Sequence, residues 1–338
     1  MKTAIITGVG GMDGSILADK LLDKGYRIIG IDRWSPTGIS PNLHKAIKNE
    51  RFNLVTGDIT EREFMYRIIS KYEPDYFYNM AAISLVPESF KIPKEVFEIN
   101  TMAVLSILEL LRTYSPHTRF YQASTSEQIG DNTEDNQNTD SKMLPNSPYA
   151  IAKLASFHLV RAYRNAFGLF AVNGMLWNHE GPRRGPTFVT RKITKHIGSG
   201  TKEPLQIGNM DSYRDWGYAG DYCDAMILML ETDEPDDYAV NTGETHTVRE
   251  FIETAYELIF KKITWKGKGK EEKGYDEDGN LLVEINEKYY RPNEVPYLHG
   301  DHTKIYENLN WRPTTKFREL VKMMMKADIL DGIKEDIK

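Results

Sequence analysis

The sequence contains a single cysteine, Cys223, among its 338 residues. No disulfide can therefore form within the chain and no cysteine-rich metal site can be built from it, so no bound metal is expected. The sequence also lacks any apolar run approaching the ~18 residues of a membrane span. Met1–Thr3 leads directly into Ala4–Ile6 without the apolar segment of an export signal, which predicts a cytoplasmic protein with no membrane partner.

The sequence also has no excess of positive charge, since it contains 43 lysines and arginines against 49 aspartates and glutamates, which gives a formal net charge of -6. A nucleic-acid partner is therefore not expected, because phosphate backbones need a basic stripe. Small anionic ligands are still compatible with this charge, because a local arginine cluster can overrule a weakly acidic average. Hydrophobic residues at 40% and charged residues at 27% are typical of a globular protein.

Short apolar runs alternate with amphipathic stretches through the first half of the chain. This alternation is typical of an α/β fold in which a doubly wound parallel sheet carries helices on both faces. Residues 15–24 and 97–114 have helical spacing of their apolar side chains. The predicted strands are residues 3–7, 27–31, 52–56, 76–79, 119–123 and 170–176.

The composition of the sequence changes after about residue 180, and lysine and arginine are frequent in residues 183–195. Asp278-Gly279-Asn280 predicts a hairpin turn before a strand at 281–285, and residues 316–330 predict a C-terminal helix. We expect residues 1–180 to form a dinucleotide-binding domain, with parts of 210–245 returning to it. Residues 181–338 are expected to form mainly a smaller C-terminal α/β domain that binds the substrate.

A glycine-rich segment follows the first predicted strand and opens the first helix. Gly8, Gly11 and Gly14 have the spacing Gly-x-x-Gly-x-x-Gly, with Met12 and Asp13 between the last two. Glycines there permit a tight turn and close approach to a pyrophosphate, whose charge a helix N-terminus favours. A glycine-rich turn alone is often only structural, but the order of strand, turn and helix predicts a Rossmann-type dinucleotide site.

Acidic residues follow the second and third predicted strands. Asp32 can accept hydrogen bonds from both ribose hydroxyls of NAD and would repel a 2′-phosphate, which favours NAD. Its neighbour Arg33 can instead hold that phosphate and so accept NADP, while a simple strand-end turn is a third interpretation. Asp58 is placed to reach the adenine edge. The predicted cofactor site also includes Ile59 and Ala81.

Tyr149 and Lys153 lie four residues apart and therefore on one face of a predicted helix. A nearby ammonium is expected to lower the pKa of the phenol, so that Tyr149 can take a proton from a sugar hydroxyl as hydride leaves the carbon. The Tyr-x-x-x-Lys pattern is common by chance, and by itself it more often reflects surface packing. The glycine-rich segment upstream favours the catalytic interpretation.

Polar residues follow the strand predicted at 119–123, at the edge of the sheet where ligands bind. Thr125 can hydrogen-bond the oxygen at the oxidised carbon, with Ser126 beside it. Glu127 separates the reaction types, because a dehydratase needs an acid/base for an acidic α-proton whereas an epimerase or reductase does not. The alternative is that the run only caps a helix.

Longer runs resemble the GDP-mannose 4,6-dehydratase family, which belongs to the extended short-chain dehydrogenase/reductases, and the matches extend over nearly the whole chain. The resemblance is carried by residues 120–127, 147–153, 178–185, 188–193, 208–217 and 289–295.

The resemblance implies a hydro-lyase that converts a GDP-hexose, by default GDP-mannose, to the GDP-4-keto-6-deoxy-hexose with an internally recycled nicotinamide cofactor. Tyr149 would take the C4 hydroxyl proton, and Glu127 the C5 proton before water leaves from C6. Lys153, with His179 and Arg184, would position the cofactor. The implied sugar-nucleotide contacts are Ser84, Asn178, Val189, Lys192, Arg214, Arg291 and Glu294.

The sequence departs from the family pattern at three places. Arg33 is followed by Trp34 rather than by a second arginine, which in the family reads the 2′-phosphate and bridges subunits. The choice between NAD and NADP, and that between a homodimer and a homotetramer, is therefore left open. Ile83 and Leu85 replace a glutamine and a histidine, and Glu95 replaces a tyrosine. GDP-manno-heptose and GDP-N-acetylglucosamine are therefore alternative substrates. A GDP-sugar epimerase or 4-reductase, and a non-catalytic cofactor-binding scaffold, are alternative functions.

Overall fold

The computed structural model describes residues 1–290, 295 and 297–335. Its strands are β1 (Thr3–Thr7), β2 (Arg27–Asp32), β3 (Phe52–Thr56), β4 (Tyr76–Asn79), β5 (Arg119–Thr125), β6 (Ala171–Leu176), β7 (Asn178–Glu180), β8 (Leu205–Ile207), β9 (Tyr213–Tyr218), β10 (Tyr238–Val240), β11 (Thr245–Thr247), β12 (Thr264–Lys266), β13 (Lys273–Tyr275) and β14 (Leu281–Ile285). Its α-helices are α1 (Met12–Asp23), α2 (Arg62–Tyr72), α3 (Val86–Ser89), α4 (Pro93–Phe97), α5 (Ala103–Tyr114), α6 (Pro148–Phe167), α7 (Val189–Gly198), α8 (Ala219–Glu231), α9 (Val248–Glu257), α10 (Thr303–Leu309) and α11 (Phe317–Glu335).

Seven parallel strands form the main sheet in the order β10-β6-β5-β4-β1-β2-β3. The apolar residues of β1 are fully buried, as expected for a parallel sheet that is covered on both faces. The strand order reverses between β1 and β4, and in such sheets ligands bind outside the carboxyl ends of the strands at that point. The predicted fold class and all six predicted strands are confirmed, although β5 continues to Thr125.

Helices cover the two faces of this sheet. Helices α1 and α8 pack in one apolar cluster with Leu17, Leu21 and Met226, whereas α2, α5 and α6 contribute to the cluster on the other face. The helix predicted over 97–114 is divided, because a π-helical turn at Glu98–Met102 precedes α5. Within that turn, Asn100 accepts from the Ile83 backbone N–H and donates to the Ile83 carbonyl oxygen, both at 3.0 Å. The irregular turn therefore anchors the loop after β4.

Two small sheets, β11-β9-β7 and β12-β13-β14-β8, lie with α7, α9 and α11 around a separate apolar cluster that includes Trp216 and Phe251. The hairpin turn between β13 and β14 is confirmed, with Gly279 at a φ of 83°. The predicted C-terminal helix is also confirmed, as α11. None of the described helices is both long and apolar enough to cross a membrane.

Candidate active site

The glycine-rich segment places backbone where side chains cannot fit. Gly8 has a φ of +64°, and a Cβ atom there would lie 2.9 Å from the Ala81 Cα. A Cβ atom at Gly14 would lie 2.5 Å from the Gly8 carbonyl oxygen. Helix α1 begins at Met12, and no side chain caps it at Gly11. Its first N–H groups are therefore available to an anion, which fits the pyrophosphate of a dinucleotide.

A cavity lies beside this segment, at the carboxyl ends of the strands around β1. Its lining includes most of the predicted cofactor residues, apart from those in α1 and those predicted to take part in the reaction. It also includes Ile83, one of the residues that depart from the family pattern, whereas Glu95 is exposed on α4 and is not among its lining residues. The lining residues are Gly8, Ile31, Asp32, Arg33, Gly57, Asp58, Ile59, Ala81, Ala82, Ile83 and Ile99.

Asp32 is fixed by backbone donors. Its Oδ2 accepts from the Gly10 N–H and its Oδ1 from the Arg33 N–H, both at 2.9 Å. Each carboxylate oxygen has a second acceptor position, so ribose hydroxyls can still donate to it. Ser40 and Asn42 brace the same loop through the Gly10 carbonyl oxygen, at 2.8 and 3.1 Å. Sequence reasoning missed these two residues, because they lie in an irregular segment without a recognisable pattern.

Of the two interpretations of the run at the end of β5, the structure shows the cap and is compatible with the chemical role. Thr125 caps the 3₁₀ turn Ser126–Gln128, since its Oγ1 accepts from the Glu127 N–H at 3.2 Å. Thr125, Ser126 and Glu127 are all buried at the carboxyl end of the strand. The cap is therefore the device that fixes the Glu127 backbone at this edge of the sheet, and it excludes no chemical role for the Glu127 side chain.

Helix α6 brings Tyr149 to the same place. Ser147 caps this helix by accepting from the Ala150 N–H at 3.1 Å, so that Tyr149 falls in the first turn. Burial raises the pKa of Tyr149 to about 12; a hydrogen bond with Thr125 opposes this shift and the negative charge of Glu127 adds to it. Thr125, Glu127 and Tyr149 are therefore close enough to interact in one buried centre.

Lys153 shares the buried face of α6 with Tyr149. Its Nζ donates to the Ala123 carbonyl oxygen of β5 at 2.8 Å, and burial lowers the pKa of the ammonium to about 8. The expectation that Lys153 lowers the pKa of Tyr149 is wrong for this arrangement, because burial of the phenol dominates and the ammonium is held by a strand carbonyl.

Residues from β7 and the loop after it face the glycine-rich segment. The Nε2 of His179 lies 2.9 Å from the Oδ2 of Asp13. Arg184 pairs with Glu180 at 3.0 Å, and its guanidinium lies 3.6 Å from the ring centroid of Phe188. Burial raises the pKa of Glu180, although Arg184 opposes the shift. Sequence reasoning missed Glu180, whose signal was a carboxylate four residues before an arginine.

The predicted sugar-nucleotide contacts are distributed over several elements. Asn178 begins β7, and Arg214 is buried on the neighbouring β9. Val189 and Lys192 lie at the start of α7, where the Nζ of Lys192 is 3.1 Å from the ring centroid of Tyr289. Ser84 is exposed in the loop after β4. The structure does not describe the two other predicted contacts, Arg291 and Glu294.

Comparison with known proteins agrees with this geometry. The family model for GDP-mannose 4,6 dehydratase matches residues 5–324. The GDP-mannose 4,6 dehydratase of Drosophila melanogaster is 46% identical over 97% of this chain and 86% of its own length, and the human protein of that name is 42% identical over 97% and 91%. The chain belongs to the GDP-mannose 4,6-dehydratase family. This confirms the predicted family.

A solved structure extends the comparison to the fold. The UDP-glucose 4-epimerase of Thermus thermophilus, in complex with NAD, superposes with a TM-score of 0.80 at 25% identity, covering 96% of this chain and 98% of that one. The overall fold of this chain is therefore shared with a protein named as a UDP-glucose 4-epimerase. Such a likeness establishes the fold, and the chemistry must be argued from the side chains.

Proposed function

We propose that the protein is a GDP-mannose 4,6-dehydratase, a hydro-lyase that forms GDP-4-keto-6-deoxymannose. The observation that carries the proposal is the buried group of Thr125, Glu127 and Tyr149 beside the glycine-rich segment, in a chain of that family. An epimerase or 4-reductase needs only the hydroxyl-bearing residues and Lys153. The carboxylate of Glu127 is the additional group that a dehydration requires.

The side chains divide the proton transfers between them. Tyr149 takes the proton of the C4 hydroxyl, while Thr125 hydrogen-bonds the C4 oxygen. A nicotinamide cofactor, which the glycine-rich segment and Asp32 would hold, would supply the hydride acceptor for C4 and the hydride donor for C6, so the reaction would have no net redox change. Glu127 takes the C5 proton, which the C4 ketone acidifies, and gives it to the departing C6 hydroxyl, which leaves as water. A solvent proton then replaces the one lost from C5.

We further propose NAD rather than NADP as the cofactor. The carboxylate of Asp32 is fixed on the Gly10 N–H in the lining of the cavity, where it favours ribose hydroxyls and repels a 2′-phosphate. The Thermus relative is a complex with NAD. Identification of the nicotinamide that co-purifies with the protein tests this choice, and NADP as the bound form would contradict it.

The two parts of the chain are proposed to divide the ligands. Residues 1–180, with parts of 210–245, would hold the cofactor, and residues 181–338 would hold mainly the GDP-sugar. The proposed contacts among the described residues are Ser84, Asn178, Val189, Lys192 and Arg214. The cations suit a diphosphate, and the guanidinium of Arg214 can bind phosphate oxygens in a bidentate manner.

A panel of GDP- and UDP-sugars, followed by mass spectrometry, tests the proposed function. We expect GDP-mannose to lose one water, and the corresponding UDP-sugar to be unchanged. A GDP-sugar that turns over with unchanged mass would instead indicate an epimerase. Water loss from GDP-manno-heptose or GDP-N-acetylglucosamine, but not from GDP-mannose, would retain the reaction and replace the substrate.

A further inference from the structure

Both ring nitrogens of His179 face acceptor oxygens. Nδ1 lies 2.7 Å from the Trp177 carbonyl oxygen, and Nε2 lies 2.9 Å from the Oδ2 of Asp13. A neutral imidazole has one N–H group and can donate to only one of these oxygens. The two contacts together therefore require the doubly protonated, positively charged ring. The ring of Tyr222 stacks against it, with 4.8 Å between ring centroids, and restricts its rotation.

The ionisable groups around the pair balance when His179 is charged. Asp13 and Glu180 supply two carboxylates, and His179 and Arg184 supply two cations. The phenols that approach from neighbouring elements stay neutral, because burial raises their pKa values. These phenols are Tyr222 on α8 and Tyr121 on β5, and Tyr149 on α6 is likewise neutral in the resting protein and ionises only during turnover, when it acts as the proposed base. Loss of the His179 proton therefore leaves an uncompensated negative charge at Asp13.

The negative charge of Asp13 lies where it can affect cofactor binding. Asp13 lies in the first turn of α1, the helix that the glycine-rich segment opens. Under the proposed function, on which this inference rests, the cofactor diphosphate lies at that helix end. An uncompensated carboxylate there opposes a diphosphate, whereas a neutral ion pair does not.

We propose that Asp13 is a positioning residue that keeps His179 doubly protonated. Cofactor affinity falls when His179 loses its proton, because the Asp13 carboxylate then loses the charge that balances it. Burial lowers the pKa of His179, but the charge and hydrogen bond of Asp13 outweigh it, so the pKa is raised above 6.5. Cofactor affinity is accordingly at its maximum at pH values below 6.5 and is lost as the pH rises through the raised pKa of His179.

The substitution Asp13→Asn removes the negative charge of the side chain and keeps its shape. The amide can donate to the Nε2 of a neutral His179, so the geometry and the local charge balance are both retained. In titration calorimetry with NADH between about pH 6 and about pH 9, wild-type affinity should fall at least about tenfold. The affinity of Asp13→Asn should change by less than about threefold over the same range. Asp19→Asn is the matched control, because Asp19 pairs with Arg183 at 2.6 Å further along α1, and it should keep the wild-type profile.

The outcomes distinguish this inference from the proposed function. Parallel pH profiles for the wild type and Asp13→Asn would overturn the inference and leave the dehydratase proposal standing, whereas absence of NADH binding by the wild type would overturn both. If Asp13→Asn does not fold, ¹⁵N NMR of the wild-type histidine rings decides the question, with His179→Gln to assign the signal. Loss of the second ring proton with a midpoint above about pH 6.5 would support the proposal, and a midpoint at or below that pH would overturn it.

Discussion

The two sides of the candidate site differ in how some of their charged side chains are held. On the cofactor side, charged groups bind backbone of the main sheet and its loops, as Lys153 does at Ala123 and Asp32 at Gly10. On the side proposed to bind the sugar, α7 is joined to α11 by the buried ion pair of Arg191 and Asp328 at 2.8 Å. Backbone contacts follow from the strand and loop order, whereas an ion pair depends on two distant segments meeting. We therefore expect the largest effects on turnover from substitutions on the first side, and the largest loss of stability from breaking the ion pair on the second.

The largest expected effect is on the cofactor side. Tyr149→Phe removes the group that takes the C4 hydroxyl proton, so turnover of GDP-mannose should fall by about a hundred- to ten-thousand-fold. The fold and NADH binding should be retained, because only one hydroxyl is lost. Tyr163→Phe is the matched control on α6, since the Tyr163 hydroxyl donates to Glu109 instead, and it should stay near wild-type turnover. Full activity in Tyr149→Phe would refute the assigned role.

The buried ion pair tests the other side. Arg191→Met removes one buried, charge-assisted contact of the Asp328 carboxylate, which should lower the free energy of unfolding by about 1.5–3 kcal/mol. The exposed pair of Arg318 and Glu257 provides the control, because its side chains are 62% and 54% exposed. Arg318→Met should cost less than about 1 kcal/mol. Urea unfolding measures both, and equal effects would remove the proposed difference between the two sides.

A smaller effect should separate stability from chemistry at Lys153. Burial lowers the pKa of this ammonium from 10.5 to about 8, so the folded state bears a cost whenever the group is charged. The cost is complete below about pH 8 and disappears as the pH rises toward 10.5. Lys153→Met should therefore raise the free energy of unfolding by about 1–3 kcal/mol at pH 7 while impairing turnover. A destabilised variant would show that the hydrogen bond to Ala123 matters more than the buried charge.

The difference between local patterns and contacts made by distant segments explains what the sequence could predict. The strands and the glycine-rich segment were predictable, because their patterns are local and their order along the chain is diagnostic. The pairing of Asp13 with His179 was not, since the two residues lie far apart in the sequence and meet only in the folded chain. The pKa of Tyr149 was predicted in the wrong direction, because residue spacing does not reveal how deeply a side chain is buried.

The central claim is that Glu127 converts a sugar-oxidising centre into a dehydrating one. Incubation of GDP-mannose in D₂O tests it most directly, with the wild type and Glu127→Gln compared by mass spectrometry and NMR. The wild type should give a product that lacks one water and carries one deuterium at C5, whereas Glu127→Gln should bind NADH and form none. Wild-type turnover by Glu127→Gln, or a wild-type product without loss of water, would contradict the account.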